Sequence, residues 1–405
     1  MRQPIKSPWS PGLVLVLTAL VLSVAPTRAA SAAGPEAGQD FGAEARLLYR
    51  VVACGGDAAL PASLNRQIVA RHCQSLKVRM ERYRRLYLAR AKPFLAALRP
   101  PNLPDKVVYP FGGGDLLSAL TTYPDARQIT TLSLELSGDP RRITKLDDQR
   151  LEDSLALIDR TVGYLLAAND STSESLKATQ EGDLPGQLSY FLVALAVHGY
   201  EPVSLRYFHV EADGSLHYYS AEEVRTMESR LARQRHGEWT SPDFSEAFAH
   251  SELTFRPVGG KGPLRIHRHL GANLRNDSLR KNSPILHYLE QQGRVAAMTK
   301  AASYCLWNPL FSRIRDYLLQ NMDFMISDAS GIPPEFAQKA GFTQETYGTF
   351  HRAMCFDDCP SDEFGDEFKE LWTTQPHRKL DFRYGYVDAE SNYNLLVTRR
   401  APRAT

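Results

Sequence analysis

The chain has 405 residues, 43% of them hydrophobic and 23% charged, with 26 Gly and 25 Pro, a balance that excludes a disordered, collagen-like or coiled-coil protein. The formal charge of +2 conceals an asymmetry, because Arg2, Lys6 and Arg28 fall within the first 33 residues, which carry no acid, and the remainder is left at −1. A near-neutral chain gives no reason to expect nucleic acid as a partner.

Arg2 and Lys6 precede an apolar run from Leu13 to Ala25, and small residues follow from Thr27 to Ala33. That is the order of a secretory signal peptide, here residues 1–33. The run is shorter than the roughly 20 residues that cross a bilayer, so the expectation is an exported protein, periplasmic or secreted, with no transmembrane helix in the mature chain. Cys54 follows Glu44, Arg46 and Arg50 where a lipoprotein would have an apolar signal core. Five cysteines in an oxidising compartment suggest two bridges and one thiol. The expected pairs are Cys54 with Cys73 and Cys355 with Cys359, leaving Cys305 as a buried free thiol on an apolar helix. Cys355 and Cys359 supply too few ligands for zinc.

Residues 34–42 read as a linker and 43–105 as a helical segment. The clearest helix is Gln74 to Leu98, with Leu76, Met80, Tyr83, Tyr87, Ala91, Phe94 and Leu98 at steps of three and four and a kink or restart expected at Pro93. Between Arg66 and Arg99 ten basic residues face one acid, Glu81. This is either a solvated face or a docking face for an anionic envelope component. Lys106 to Phe111 reads as a buried strand, Gly112-Gly113-Gly114 as a sharp turn, Leu116 to Leu120 as a helix capped by Asp115, and Gln128 to Leu136 as a second strand. Strand, turn, helix and strand make a βαβ unit and favour a mostly parallel sheet. Helices follow at about 149–168 and 184–198, then a hairpin of Pro202 to Glu211 and Ser215 to Tyr219 about Asp213-Gly214. A mixed polar insertion at about 221–283 holds one strand-like piece, Leu253 to Val258. The α/β rhythm resumes with Arg294 to Lys300 (strand), Ala301 to Gln320 (helix) and Met322 to Asp328 (strand). Leu380 to Val387 and Tyr393 to Arg399 read as a closing antiparallel hairpin. The fold class expected is α/β, with 106–405 a Rossmann-like domain.

Two places carry candidate chemistry. A glycine turn after a first strand lets the backbone approach a ligand, and Glu135 stands 21 positions beyond Gly114, where nucleotide-binding folds hold a ribose. Gly112, Gly113, Gly114, Asp115 and Glu135 are therefore the candidate ligand residues, for a small polar ligand of unspecified type. Lys300, Asp328 and Ser330 would lie at carboxyl ends of strands. There a Lys beside a Ser can activate a hydroxyl and an Asp can accept a proton, or Lys300 and Asp328 form an ion pair that holds the strand ends. His267-x-His269 presents two imidazoles without an evident third metal ligand. The acids from Asp357 to Glu370 lack EF-hand spacing and read as a solvated loop.

The glycine turn, the alternation of strands and helices and the terminal antiparallel pair resemble S-adenosylmethionine-dependent methyltransferases in element order, although Gly-Gly-Gly-Asp is not the usual fingerprint. That resemblance implies a fold, and export argues against the activity, because the cofactor is made and used in the cytosol. Tyr109-Pro110-Phe111-Gly112-Gly113-Gly114-Asp115, Thr299-Lys300-Ala301-Ala302-Ser303-Tyr304 and Ser327-Asp328-Ala329-Ser330-Gly331-Ile332-Pro333-Pro334 are similar to a family of exported bacterial proteins with no assigned activity, so the resemblance transfers no catalytic residue. The expected function is a small-molecule-binding or structural envelope protein, the alternative a transferase or hydrolase acting at Lys300 and Asp328.

Overall fold

The structure, a computed structural model, describes residues 38–56, 58–168, 182–231, 246–279, 283–351, 363–386 and 393–401. The expected signal peptide, part of the expected linker and both cysteines of the expected Cys355–Cys359 pair lie outside them.

The strands are β1 (Lys106–Pro110), β2 (Gln128–Ser133), β3 (Tyr200–Val210), β4 (Leu216–Tyr218), β5 (His250–Pro257), β6 (Arg265–Gly271), β7 (Val295–Met298), β8 (Met322–Ser327), β9 (Phe342–Gly348) and β10 (Asn394–Arg400). They form one sheet in the order β4-β3-β5-β6-β2-β1-β7-β8-β10-β9. The fold is α/β and the sheet is mixed. The central strands β6, β2, β1, β7 and β8 are mutually parallel, and every pairing outside them is antiparallel. Val107, Val108 and Tyr109 make β1 a strand buried on both faces, the usual state of a parallel strand covered by helices.

The helices are α1 (Gly42–Val52), α2 (Arg66–Tyr83), α3 (Ala89–Leu98), α4 (Leu116–Thr122), α5 (Asp148–Ala168), α6 (Gly186–His198), α7 (Ala221–Leu231), α8 (Pro284–Glu290), α9 (Ser312–Asn321), α10 (Pro334–Lys339) and α11 (Glu363–Thr374). Helices α1 to α6 share one core with the face of the sheet that carries Val107, Tyr109, Ile129, Ala296 and Met298. Helices α8, α9 and α10 cover the other face, against Val108, Leu132, Ala297 and Met325. The segment 43–105 is thus part of the main core. Between α2 and α3, residues Arg84–Leu88 form a π-helical turn, and Pro93 lies inside α3. Pro93 has no N–H to donate to the Ala89 carbonyl, and the helical register shifts in the five residues that precede Ala89. Cys54 and Cys73 form a disulfide between the end of α1 and α2.

Four expectations are corrected. The polar insertion contains β6, the parallel neighbour of β2, beside β5 and α7; its alternation of Arg, His and Gly with apolar residues hid it. Of Ala301 to Gln320 only α9 is a regular long helix, because Ala301, Ser303 and Tyr304 have positive φ, which no helix of L-residues accommodates; Cys305 is therefore a free thiol in a turn. Leu380–Tyr386 is irregular: Gly385 has φ +76° and leaves no room for a Cβ, which would stand 2.4 Å from Asp328 Cβ, and β10 pairs with β9 and β8 instead. The acidic run, from Glu363 onward, is helix α11 and not a loop.

Candidate functional site

The order of the parallel strands reverses between β1 and β7, and a crevice at the carboxyl ends of strands forms at such a point in open α/β sheets. The glycine turn leaves β1 here. Gly112 N–H donates to Leu132 O at 3.1 Å and Asp115 N–H to Gly112 O at 2.9 Å. Gly113 has φ +49°, and a Cβ at Gly112 would meet the Tyr109 ring at 2.8 Å, so the turn tolerates glycine for conformational and steric reasons alike.

The carboxylate of Asp115 dominates the turn. Its Oδ1 accepts from Ser118 N–H at 3.0 Å, capping α4, and its Oδ2 accepts from Tyr109 OH at 3.1 Å. Lys300 Nζ lies 2.8 Å from the same Oδ2, with both side chains almost wholly buried, and donates to Ser118 Oγ at 2.6 Å. The position where a ligand's anion would meet the start of α4 is thus filled by the protein's own carboxylate. Burial and the nearby carboxylates of Asp115 and Asp328 hold the Tyr109 phenol well above its ordinary range.

Asp328 belongs to a second knot. Its Oδ2 accepts from Ala301 N–H at 2.9 Å, and its Oδ1 from Ser330 N–H at 3.0 Å and from the Ser330 hydroxyl. Ala302 N–H donates to Ser330 Oγ at 2.9 Å and Ser303 N–H to Tyr386 OH at 2.5 Å. The sequence-based alternative of a Lys300–Asp328 ion pair is therefore corrected to Lys300–Asp115. Lys300 sits against Ser118, while the hydroxyl of Ser330 is committed to Asp328. Tyr384 and Tyr386 close this knot from the irregular segment, residues that no periodicity singled out.

Glu135 lies two residues past β2 and is half-buried. Its backbone carbonyl accepts from His269 Nε2–H at 2.8 Å, which leaves His269 Nδ1 to accept from Thr131 Oγ1–H at 3.0 Å. Thr131 Oγ1 in turn accepts from His267 Nε2–H at 2.9 Å. Burial lowers both imidazoles, His267 well below its ordinary range and His269 to about 4. This is a neutral relay inside the core beneath Phe191. Among the described residues no group of three His, Cys, Asp or Glu is placed to hold a metal ion.

The side chain that sequence reasoning missed is Gln187, in the first turn of α6. It is wholly buried, and its Oε1 lies 2.8 Å from where a Cβ of Gly114 would stand. Neither its Nε2 nor its Oε1 has a hydrogen-bond partner among the described residues. Leu188 N–H next to it donates to Ser137 O at 3.2 Å, so the start of α6 bridges the glycine turn and the chain that follows Glu135. Ser133 Oγ, at the end of β2 and two residues on from Thr131 on the same face, is also buried without a partner among the described residues. No cue marked Gln187, because an amide in an apolar helix reads as a solvated position.

No protein-family model matches the chain, and no curated protein matches it.

Proposed function

We propose that this chain is an exported protein that holds a small, neutral, polar ligand at the carboxyl edge of a Rossmann-like sheet, between the glycine turn and the start of α6. The observation that carries the reading is Gln187. Its amide is wholly buried and neither polar atom has a partner among the described residues, a state that costs about 1–3 kcal/mol per group and that a hydrogen-bonding ligand relieves. Ser133 offers a further hydroxyl on the same side. Neutrality follows from Asp115, which already supplies the anion at the start of α4.

The strand order supports the Rossmann-like part of the reading. The run β6-β2-β1-β7-β8 is parallel with its reversal at β1/β7, and beyond it β10 runs antiparallel to both β8 and the edge strand β9, an order similar to that of the methyltransferases. Export is favoured by the leader-like first 33 residues and by the Cys54–Cys73 bridge, since disulfides persist in oxidising compartments. Among the described residues no helix is long and apolar enough to cross a membrane.

The test is a thermal-shift screen of the mature protein with nucleosides, S-adenosylmethionine, neutral sugars and muropeptides. A stabilising ligand whose effect vanishes in Gln187→Leu and in Gly113→Val supports the site, and a screen without any shift removes it.

A second reading, a transferase or hydrolase working at Lys300, Asp328 and Ser330, draws on the strained backbone around them. Phe111, Ala301, Ser303 and Tyr304 all have φ between +48° and +59°, and such strain concentrates at functional sites. Turnover of an ester or glycoside lost in Ser330→Ala, with the fold retained by circular dichroism, would favour it over binding alone.

A further inference from the structure

We propose that the cleft between α2, α3 and the end of α5 binds organic phosphates that carry an apolar or aromatic body. The cavity encloses about 540 Å³, a volume that suits a small ligand. Four guanidinium groups line it, those of Arg79, Arg82, Arg90 and Arg383, against one acid, Asp381. That acid is paired to Lys379 at 2.7 Å. Arg79 shares Asp159 at 3.2 Å. Arg90 donates to a backbone carbonyl, Asp381 O, at 3.4 Å, and Arg82 has no acidic partner among the described residues. Arg82 and Arg90 therefore bring two positive charges to the lining that no acid among the described residues pairs.

The floor is aromatic. Tyr83 and Tyr87 stack with centroids 4.9 Å apart, and Phe382 meets Tyr87 edge-on at 5.6 Å. Leu86, 45% exposed, stands at the rim. Guanidinium forks bind phosphate oxygens in pairs, and a rigid aromatic floor accepts a flat or apolar group. A single carboxylate would match only one of these two charges, whereas a phosphate monoester brings nearly two charges on one centre. The site uses elements other than the glycine turn and stands independently of the ligand proposed there.

The experiment is calorimetric titration of the mature protein with phenyl phosphate, with inorganic phosphate, and with phosphatidylcholine vesicles containing or lacking phosphatidic acid. The expected result is salt-sensitive binding of phenyl phosphate that weakens at least about ten-fold in the double variant Arg82→Gln/Arg90→Gln. It should be unchanged in Lys261→Gln, an exposed site on the β5–β6 turn, and in Gln187→Leu. Both arginines are exposed, so the double variant is expected to keep its melting temperature. Competition by phosphatidic acid vesicles identifies a lipid headgroup as the source, and phenyl phosphate binding without it identifies a free organic phosphate; both uphold the site. Absence of phenyl phosphate binding, equal affinity for inorganic phosphate, or equal loss in Lys261→Gln overturns it.

Discussion

Lys300 Nζ and Asp115 Oδ2 meet at 2.8 Å, with 1% and 4% of their side chains exposed, and this contact ties the end of β7 to the turn that follows β1. The two strands flank the point where the sheet reverses its order, so the pair ties the sheet together there. Ser118 and Tyr109 complete its hydrogen bonds, which is the condition under which a buried ion pair is tolerated.

Removing one partner leaves the other charge buried and uncompensated. Lys300→Met is expected to destabilise the fold by about 3–5 kcal/mol. Adding Asp115→Asn should restore more than half of that loss, because the amide still caps α4. Urea unfolding of the two single variants and the double variant gives the coupling energy, and additive losses would show that Lys300 and Asp115 are not a coupled pair.

Gln187→Leu removes two buried polar atoms that have no partner among the described residues, while keeping side-chain volume. In the absence of ligand its expected effect is a gain of about 1–3 kcal/mol, read as a rise in the urea midpoint. A loss of stability would mean that the amide is satisfied in the free protein.

The buried histidines make stability fall with acid. His269 and His250 are lowered to about 4 and His198 to about 3, each chiefly by burial. The unfolded chain takes up these protons near pH 6.5 while the folded chain resists until below 4. The stability they contribute is therefore complete above about pH 6.5 and lost as pH falls through 4. For His269 the loss is roughly 3 kcal/mol. Melting temperature measured from pH 7 to pH 4 should fall steadily, and His269→Phe should flatten that slope.

Cys54 and Cys73 are 19 residues apart, and closing a loop of that size stabilises by about 3 kcal/mol in the chain-entropy description. The double variant Cys54→Ser/Cys73→Ser is expected to show that loss, and addition of reductant to the native protein should lower its melting temperature comparably.

Gly385 and Gly293 separate steric from conformational cost. Both have positive φ, +76° and +69°. A Cβ at Gly385 would stand 2.4 Å from Asp328 Cβ, whereas one at Gly293 meets nothing within 4 Å. Gly293→Ala should cost about 1–2 kcal/mol for the left-handed backbone alone. Gly385→Ala should cost clearly more in the same unfolding assay, since it displaces Asp328 and the tyrosines that flank it.

Much of this architecture was legible along the chain because its signals are local. The βαβ unit from Lys106 to Ser133, helices α5 and α6, and the hairpin about Asp213-Gly214 each follow from periodicity and turn chemistry within about thirty residues. The Cys54–Cys73 bridge joins neighbouring helices and was readable for the same reason. Polar alternation and strain concealed the rest. β6 reads as part of a mixed polar insertion because His267 and His269, buried as a neutral pair against Thr131, look like surface residues. Leu380–Tyr386 reads as a strand because alternation cannot reveal that Gly385 must yield to Asp328.

The candidate site divides in the same way. Sequence order places Gly112 to Asp115 at a turn and Lys300 and Asp328 near strand ends, because a chain's own neighbours settle where strands stop. Which carboxylate Lys300 takes, and that Gln187 faces Gly114, depend on packing between segments 70 to 190 residues apart. Such pairings are chosen by strand order and by the close approach of α6 to a turn without side chains, quantities that exist only once the sheet is assembled.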